Sequence, residues 1–250
     1  MDRTQGHLPI LEEGSSFSFA CHQDVSCFTL CCKNVNLTLY PYDIIRLKNR
    51  LKIDSESFVR RFCFLERADN PYFPSLKLRL DEDREKACPF LAETGCTVYS
   101  DRPSACRTYP LERGALGDER GCRQDRYFLT RHPYCKGHFE DRQQRVDLWL
   151  RSQQLHDYNT MNDLWAEMDV FFATNPWQGE GVGGEKQQLA FMVCYNIDTF
   201  REFCRRHTLL GQFRLDRDVK KRIRQEDSEL LKFGFEWLKL LFGGQSSLVR

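Results

Sequence analysis

The chain has 250 residues, 41% of them hydrophobic, which is enough for one large domain or two modest ones whose core needs no disulfides. Lys and Arg number 37 against 36 Asp and Glu, and the resulting net charge of +1 gives no long-range field for steering toward nucleic acid or anionic lipid. Neither a nucleic-acid partner nor a membrane is expected. The opening MDRTQGHLPILEEGSSFSF is polar and acidic where a secretory signal needs a basic end and an apolar run. The most apolar later segment, Phe233 to Phe242, carries Glu236 and Lys239 and falls well short of a bilayer's thickness. The expected location is therefore the cytoplasm. In that reducing compartment, 12 cysteines are better explained by metal ligation than by structural disulfides.

Along the chain, Phe17, Phe19 and Cys21 share one parity, as a short strand entering a cysteine group requires. NVNLTLY reads as a second strand. Pro41 suits the first position of a helix whose buried stripe is Ile44, Ile45, Leu47 and Leu51. Asp54 or Ser55 caps the next helix, in which Phe58, Val59, Phe62 and Leu65 recur at helical spacing, with Cys63 inside it as a small buried apolar residue. Leu76, Leu78 and Leu80 alternate with Lys77 and Arg79, predicting a strand with one wet face. DEDREK turns the chain, and two short strands then carry Cys88 and Cys96, with Gly95 permitting a tight approach. Arg102 to Tyr109 bends around Pro103 and Cys106, and there the β-rich part is expected to end.

Beyond Phe139 the pattern is helical. Val146, Leu148, Trp149 and Leu155 mark a short helix, and Tyr158, Met161, Leu164, Trp165, Met168 and Phe172 a longer amphipathic one. TNPWQGEGVGGEK is a loop. Its Gly179, Gly181 and Gly184 match a dinucleotide-loop spacing but follow a helix instead of the required strand, so they are read as a linker. Two more helices are expected, one through Ile197, Phe200, Phe203 and Cys204 with Asp198 at its start, the other through Leu230, Leu231, Trp237, Leu238 and Leu241, ended by Gly243 and Gly244. RLDRDVKKRIRQED reads as a wet helix face. The fold class is α+β: a small cysteine-rich metal-binding part with short strands and two helices over residues 1–140, then a mainly helical carboxy-terminal part over 141–250 packed on it, with a flexible Gly-rich loop at 174–186.

The cysteines carry the chemistry. Cys21, Cys27, Cys31 and Cys32 form one group, and Cys88, Cys96, Cys106 and Cys135 a second. Adjacent cysteines rarely close on each other, because the bridge would strain the intervening peptide, so Cys31 and Cys32 are expected as two thiols. Consecutive side chains also diverge, which allows the pair to serve different metals or different edges of one cluster. Seven residues separate Cys88 from Cys96 and nine separate Cys96 from Cys106, too many for a simple zinc knuckle, so the fold has to gather them. Eight thiolates fill two four-thiolate sites, or a four-thiolate cubane plus one zinc. His138, three residues after Cys135, is an alternative ligand but is read as a solvated loop histidine. Arg102 and Arg107 flank Cys106 and are either hydrogen-bonding neighbours of the sulfurs or surface residues.

The crowded CC pair, followed by CPFL, GC-V-Y, RPSACR-YP and a late Cys-Lys-Gly, resembles the bacterial YkgJ-type cysteine-cluster proteins, a zinc- or iron-chelating family with eight cysteines. The resemblance covers Phe17 to Met168. It implies metal ligation by Cys21, Cys27, Cys31, Cys32, Cys88, Cys96, Cys106 and Cys135. The chain departs from the family's compact C-x2-C-x2-C-C by having five and three intervening residues, a departure that falls on Cys21. Cys63, Cys122, Cys194 and Cys204 match no family position and are read as non-ligands, with Cys122 the nearest to an exception because it lies in a polar loop near Cys135.

No H-E-x-x-H motif, G-x-S-x-G elbow, P-loop or radical-SAM C-x3-C-x2-C arrangement is present, so no nucleophile and base are identified. The expected function is a cytoplasmic metal-binding protein that holds zinc or iron, including an iron-sulfur cluster, through clustered thiolates. The competing reading is an iron-sulfur-dependent enzyme, since related cysteine clusters occur in flagellin lysine methylases; its carboxy-terminal helices would then offer a surface to a protein partner. A third reading makes Trp165, Trp177 and Trp237 anchors for protein contacts, although a helical core explains them more simply.

Overall fold

The computed structural model describes residues 10–12, 14–67, 70–117 and 123–249. Cys122 lies outside them. Strands β1 (Ile10–Leu11) and β2 (Ser16–Ser18) precede a 3-10 turn at Leu30–Cys32. Then come β3 (Thr38–Leu39), α1 (Pro41–Leu51), α2 (Ser55–Phe62), β4 (Cys63–Glu66) and β5 (Ser75–Leu78). The middle of the chain holds β6 (Leu91–Ala92), β7 (Gly95–Cys96), α3 (Ser104–Thr108), β8 (Leu111–Gly117), β9 (Arg123–Leu129) and β10 (Gln143–Arg145). Helices complete it: α4 (Val146–Ser152), α5 (Leu155–Ala173), α6 (Glu185–Tyr195), α7 (Ile197–Arg206), α8 (Arg217–Gln225) and α9 (Asp227–Leu241). The class is α+β, with short strands in small sheets early and helices late. Among the described residues no helix is long and apolar enough to cross a membrane.

Two units emerge, and they are interleaved in sequence. One comprises Met1–Val35 with Asp81–Asp157, the other Asn36–Leu80 with Tyr158–Arg250. This division differs from the contiguous 1–140 and 141–250 read from the sequence, because α1, α2 and the β3-β5-β4 sheet group with the late helices.

In the first unit, β2 pairs antiparallel with β10, and β8 with β9 makes the longest hairpin, joined at its edge by β1. Phe17, Phe19, Leu111, Tyr127, Leu129 and Val146 bury together, with Tyr109, Cys135 and Trp149 packed against them. Phe19 meets Tyr109 and Trp149 edge-on at 5.6 and 5.7 Å, the preferred geometry of aromatic pairs. The sequence reading ended the β part before this hairpin. Arg113, Asp125 and Arg126 interrupt its apolar alternation, and Arg113 pairs instead with Asp125 at 2.7 Å.

In the second unit, α1 starts at Pro41 as expected, and the Asp43 carboxylate accepts the Tyr40 N–H at 3.0 Å. Asp54 caps α2 by accepting the Ser57 N–H at 2.7 Å. The helix stops at Phe62, earlier than its apolar spacing predicts. Cys63 instead opens β4, paired with Leu78, and Leu65 is exposed. The expected wet face of β5 is also corrected: Lys77 is 8% exposed, its Nζ 2.7 Å from Thr38 Oγ1 and 3.3 Å from Glu66. The α5 stripe of Tyr158, Met161, Trp165, Met168 and Phe172 is buried. Phe73 stacks near Phe172 at 4.3 Å and Trp177 at 6.0 Å, so the glycine-containing loop carries a fully buried tryptophan. Among the described residues four helices follow that loop: α7 and α9 as expected, α8 on the stretch read as a wet helix face, and α6, which was not expected. At Gly234 of α9 a Cβ would lie 2.5 Å from Val193 Cγ1 and 2.9 Å from Phe200 Cε1, so the missing side chain lets α9 approach α6 and α7.

Candidate metal centre

The first cysteine loop leaves β2 and is held by backbone bonds at tight turns. Ala20 N–H donates to Gly137 C=O at 3.0 Å, and a Cβ at Gly137 would sit 2.4 Å from Ala20 O, so only glycine allows this approach. Cys21 is thereby tied to the Cys135–Gly137 segment. Val25 is buried and anchors the loop; Leu30 N–H bonds Cys27 C=O and Cys32 N–H bonds Thr29 C=O, with Thr29 left-handed at φ 69°. The Lys136 N–H donates to Cys27 Sγ at 3.0 Å, placing Cys27 beside Cys135.

The second group is assembled differently. Cys88 N–H donates to Cys32 C=O at 2.7 Å, and Lys33 bridges to Ala87 in antiparallel register. The β6–β7 hairpin then folds back, pairing Leu91 with Cys96, while Thr97 N–H bonds Phe90 C=O at 2.9 Å. Gly95 supports this turn at φ +116°. Cys96 lies in a strand as expected, whereas Cys88 precedes β6 in a turn. Cys106 sits on α3, a short helix where a bend was expected, and is exposed.

Electrostatics report which sulfurs crowd one another. Partial desolvation by the surrounding loops pushes the Cys21 thiol up to about 11, helped by Cys31, Cys27 and Cys135 and opposed by Arg102. Burial also raises Cys88 to about 11, against the Phe90 N–H, with Cys96 and Cys31 adding to the rise. Burial raises Cys96 too, against the Val98 N–H and Arg102. Cys32 donates its proton to Cys31, which brings the Cys31 thiol down to about 7 and pushes Cys32 strongly up, the latter also through burial and through Cys88 and Cys106. The neutral thiol is thus favoured at Cys21, Cys32, Cys88 and Cys96, whereas Cys31 is drawn toward the thiolate.

The eleven described cysteines are all thiols. All eight expected ligands fall in the first unit, whereas Cys63, Cys194 and Cys204 are buried in the second. Among the described residues, no three His, Cys, Asp or Glu side chains lie in an arrangement that would itself hold a metal ion, so ligation requires the thiols to turn toward a common point. The donor chemistry fits zinc or iron: soft thiols, of which Cys88 and Cys96 have backbone N–H groups favouring the thiolate.

His138 is not a solvated loop residue. Its Nε2 lies 3.2 Å from Tyr109 Oη and its ring 5.3 Å from Phe19. Tyr109 also hydrogen-bonds Cys135, a role no spacing signalled, since the residue stood in the sequence only as part of the YP that ends a motif. Arg107 is buried with its guanidinium on Ser100 and Gln153 carbonyls. Arg102 lies over the Tyr99 ring at 3.8 Å, bonds Gln153, and acts on both Cys21 and Cys96.

Short strands and tight turns place eight soft donors in one unit without bridging them, the donor type of thiol-based chelating domains. Residues 20–136 match the CxxCxxCC family, described as a putative zinc- or iron-chelating domain, and this segment of the chain carries that domain. The match begins one residue before Cys21 and ends one after Cys135. No curated protein and no solved structure shows significant similarity to the chain.

Proposed function

We propose that the first unit binds zinc or iron through Cys21, Cys27, Cys31, Cys32, Cys88, Cys96, Cys106 and Cys135, and that the metal is structural or chelated, in a reducing compartment such as the cytoplasm. The observation that carries this reading is the sorting of the cysteines: the eight family positions share the loop-rich unit, while the three other described cysteines are ordinary buried core of the helical unit. Random use of cysteine as a small apolar residue gives no such division. The loops bearing the eight thiols are short of apolar cover, with Cys21, Cys31 and Cys106 exposed, so coordination supplies stability that burial does not. Four thiolates around each ion leave no open position, which favours holding over catalysis.

Elemental analysis of protein purified without added metal tests the reading. Zinc or iron bound tightly in at least stoichiometric amount is the expected outcome. Colourless protein with zinc assigns mononuclear sites, and brown protein with iron and acid-labile sulfide assigns a cluster. Metal-free protein with undiminished protection in the cysteine loops overturns the proposal.

A further inference from the structure

We propose that Tyr109 is a positioning residue of the metal centre: it grips the chain on both sides of Cys135 and holds that thiol in place for the ion. This rests on the metal-binding reading above and adds to it a residue that is not itself a ligand.

Tyr109 directly follows α3, the helix that carries Cys106, and its N–H returns to Ala105 C=O at 3.4 Å. Its ring stacks on His132 at 5.4 Å with the planes 7° apart, and His132 stacks in turn on Tyr134 at 5.1 Å and 8°. Cys135 closes this turn, its N–H donating to His132 C=O at 2.9 Å. Beyond the turn, the Tyr109 hydroxyl lies 3.2 Å from His138 Nε2. One side chain thus meets the segment three residues before Cys135 and three residues after it. The grip is itself anchored. Phe19 meets Tyr109 edge-on at 5.6 Å and His138 at 5.3 Å, and both Tyr109 and Cys135 pack against the cluster to which Phe19 belongs. A phenylalanine would serve the stacking and the packing equally well. The hydroxyl is the added element, and it also hydrogen-bonds Cys135. Partners of this kind orient the donors of metal sites, and losing one lowers metal affinity on the order of tenfold to a hundredfold.

The test uses the whole chain, reduced, stripped of metal and titrated anaerobically with zinc chloride against a chromogenic chelator. Tyr109→Phe keeps the ring and removes the hydroxyl, and it is expected to weaken zinc binding by about tenfold. Amide exchange at Phe19 and Val146, whose N–H groups donate to the Arg142 and Ser15 carbonyls, should stay as in the wild type. Cys135→Ser weakens zinc binding further, and adding Tyr109→Phe to it costs nothing more, because the tyrosine acts through that thiol. Full zinc affinity in Tyr109→Phe, or losses that add in the double variant, overturns the inference. So does a loss of affinity accompanied by faster exchange at Phe19 and Val146, the mark of a merely structural residue. Should Tyr109→Phe fail to fold, the wild type still decides: the ring resonances of Tyr109 are expected to shift in step with protection of Cys135 from alkylation, and resonances that stay in place while Cys135 becomes protected overturn the role. Zinc binding that Cys135→Ser leaves untouched removes this inference and leaves metal binding standing. Wild-type protein that takes up neither zinc nor iron removes both.

Discussion

The two units solve the same problem with different materials. The helical unit buries large apolar side chains, Trp177, Phe172, Phe58, Phe200, Leu47 and Leu238 among them, and each such side chain is worth about 1.5–3 kcal/mol. Among the described residues the cysteine unit has a small cluster around Phe17 and Phe19, then turn segments in which single residues such as Val25, Phe90 and Val98 are buried between exposed neighbours. In the first case, order comes from area removed from water. In the second, the loops from Cys21 to Cys32 and from Ala87 to Tyr109 hang on backbone bonds at tight turns and on whatever their sulfurs hold. Removal of metal is therefore expected to separate the units. A strong chelator with reductant should abolish amide-exchange protection at Leu30, Cys32, Cys88 and Thr97, and leave α1, α5 and α9 protected. Structural zinc in thiolate sites is worth on the order of 10 kcal/mol of coupled folding free energy, which makes this the largest effect. Equal loss across both units would mean that they do not differ in this way.

The next largest effect belongs to the polar seam of the helical unit. Lys48 on α1 lies 3.1 Å from Asp198 and 2.9 Å from Asp227, and Arg201 reaches Asp227 at 2.6 Å. Burial by itself would push the Asp227 carboxyl up, but hydrogen bonds from Lys48, Arg201 and Asn49 outweigh it and hold the group below its ordinary value. Asp227→Ala leaves Lys48 buried with half its compensation and is expected to cost about 3 kcal/mol in denaturant unfolding. A depressed carboxyl contributes stability that is fully present above the unfolded value of about 4 and is lost as pH falls through the lower folded one. The wild type should therefore lose its advantage over Asp227→Asn only below about pH 4. An advantage that faded near neutrality would implicate another group.

Legibility from sequence followed physics element by element. The eight cysteines stood out because their spacing and neighbours recur as a set, and α1, α2 and α5 because a one-sided apolar stripe meets a cap or a proline. The α6 helix left no such trace: Gln187, Ala190, Val193, Cys194 and Tyr195 are all buried, so apolar residues are not confined to one face. The end of α2 was missed because Leu65 continues the helical spacing, while pairing with β5, a tertiary interaction, takes Cys63–Glu66 into a strand. The β8–β9 hairpin hid behind charges, and the interleaving of the units is invisible locally since it depends on β3 and β5 meeting across the chain. The cysteine positions were legible, whereas contacts such as the Lys136 N–H on Cys27 Sγ were not, because they join residues far apart in the chain.

Packing within the helical unit sets a smaller effect. Gly234→Ala places a methyl 2.5 Å from Val193 Cγ1 and 2.9 Å from Phe200 Cε1, both held by neighbours in a core where nothing yields cheaply. The gain in helix propensity, about 1 kcal/mol, is opposed by overpacking of about 1–3 kcal/mol, so the variant is expected to be less stable by about 1 kcal/mol. A more stable variant would show that α9 can move away from α6 and α7 without loss.

The smallest effect is expected at Lys77, and it sharpens the contrast with Lys48. Both lysines are buried, but Lys48 faces two carboxylates, one of them 15% exposed, whereas the carboxylate near Lys77 belongs to Glu66 and is 40% exposed. Replacing Lys77 by Met keeps the volume and removes a charge, and Glu66 then hydrates where Asp227 could not. Thr38 loses a bond at 2.7 Å but is only half-buried, so water replaces the lost donor. The change in unfolding free energy is expected to stay within about 1 kcal/mol, in either direction. A loss as large as that of Asp227→Ala would mean that the β3-β5-β4 sheet depends on its lysine bridge, and that apolar burial alone does not hold the helical unit.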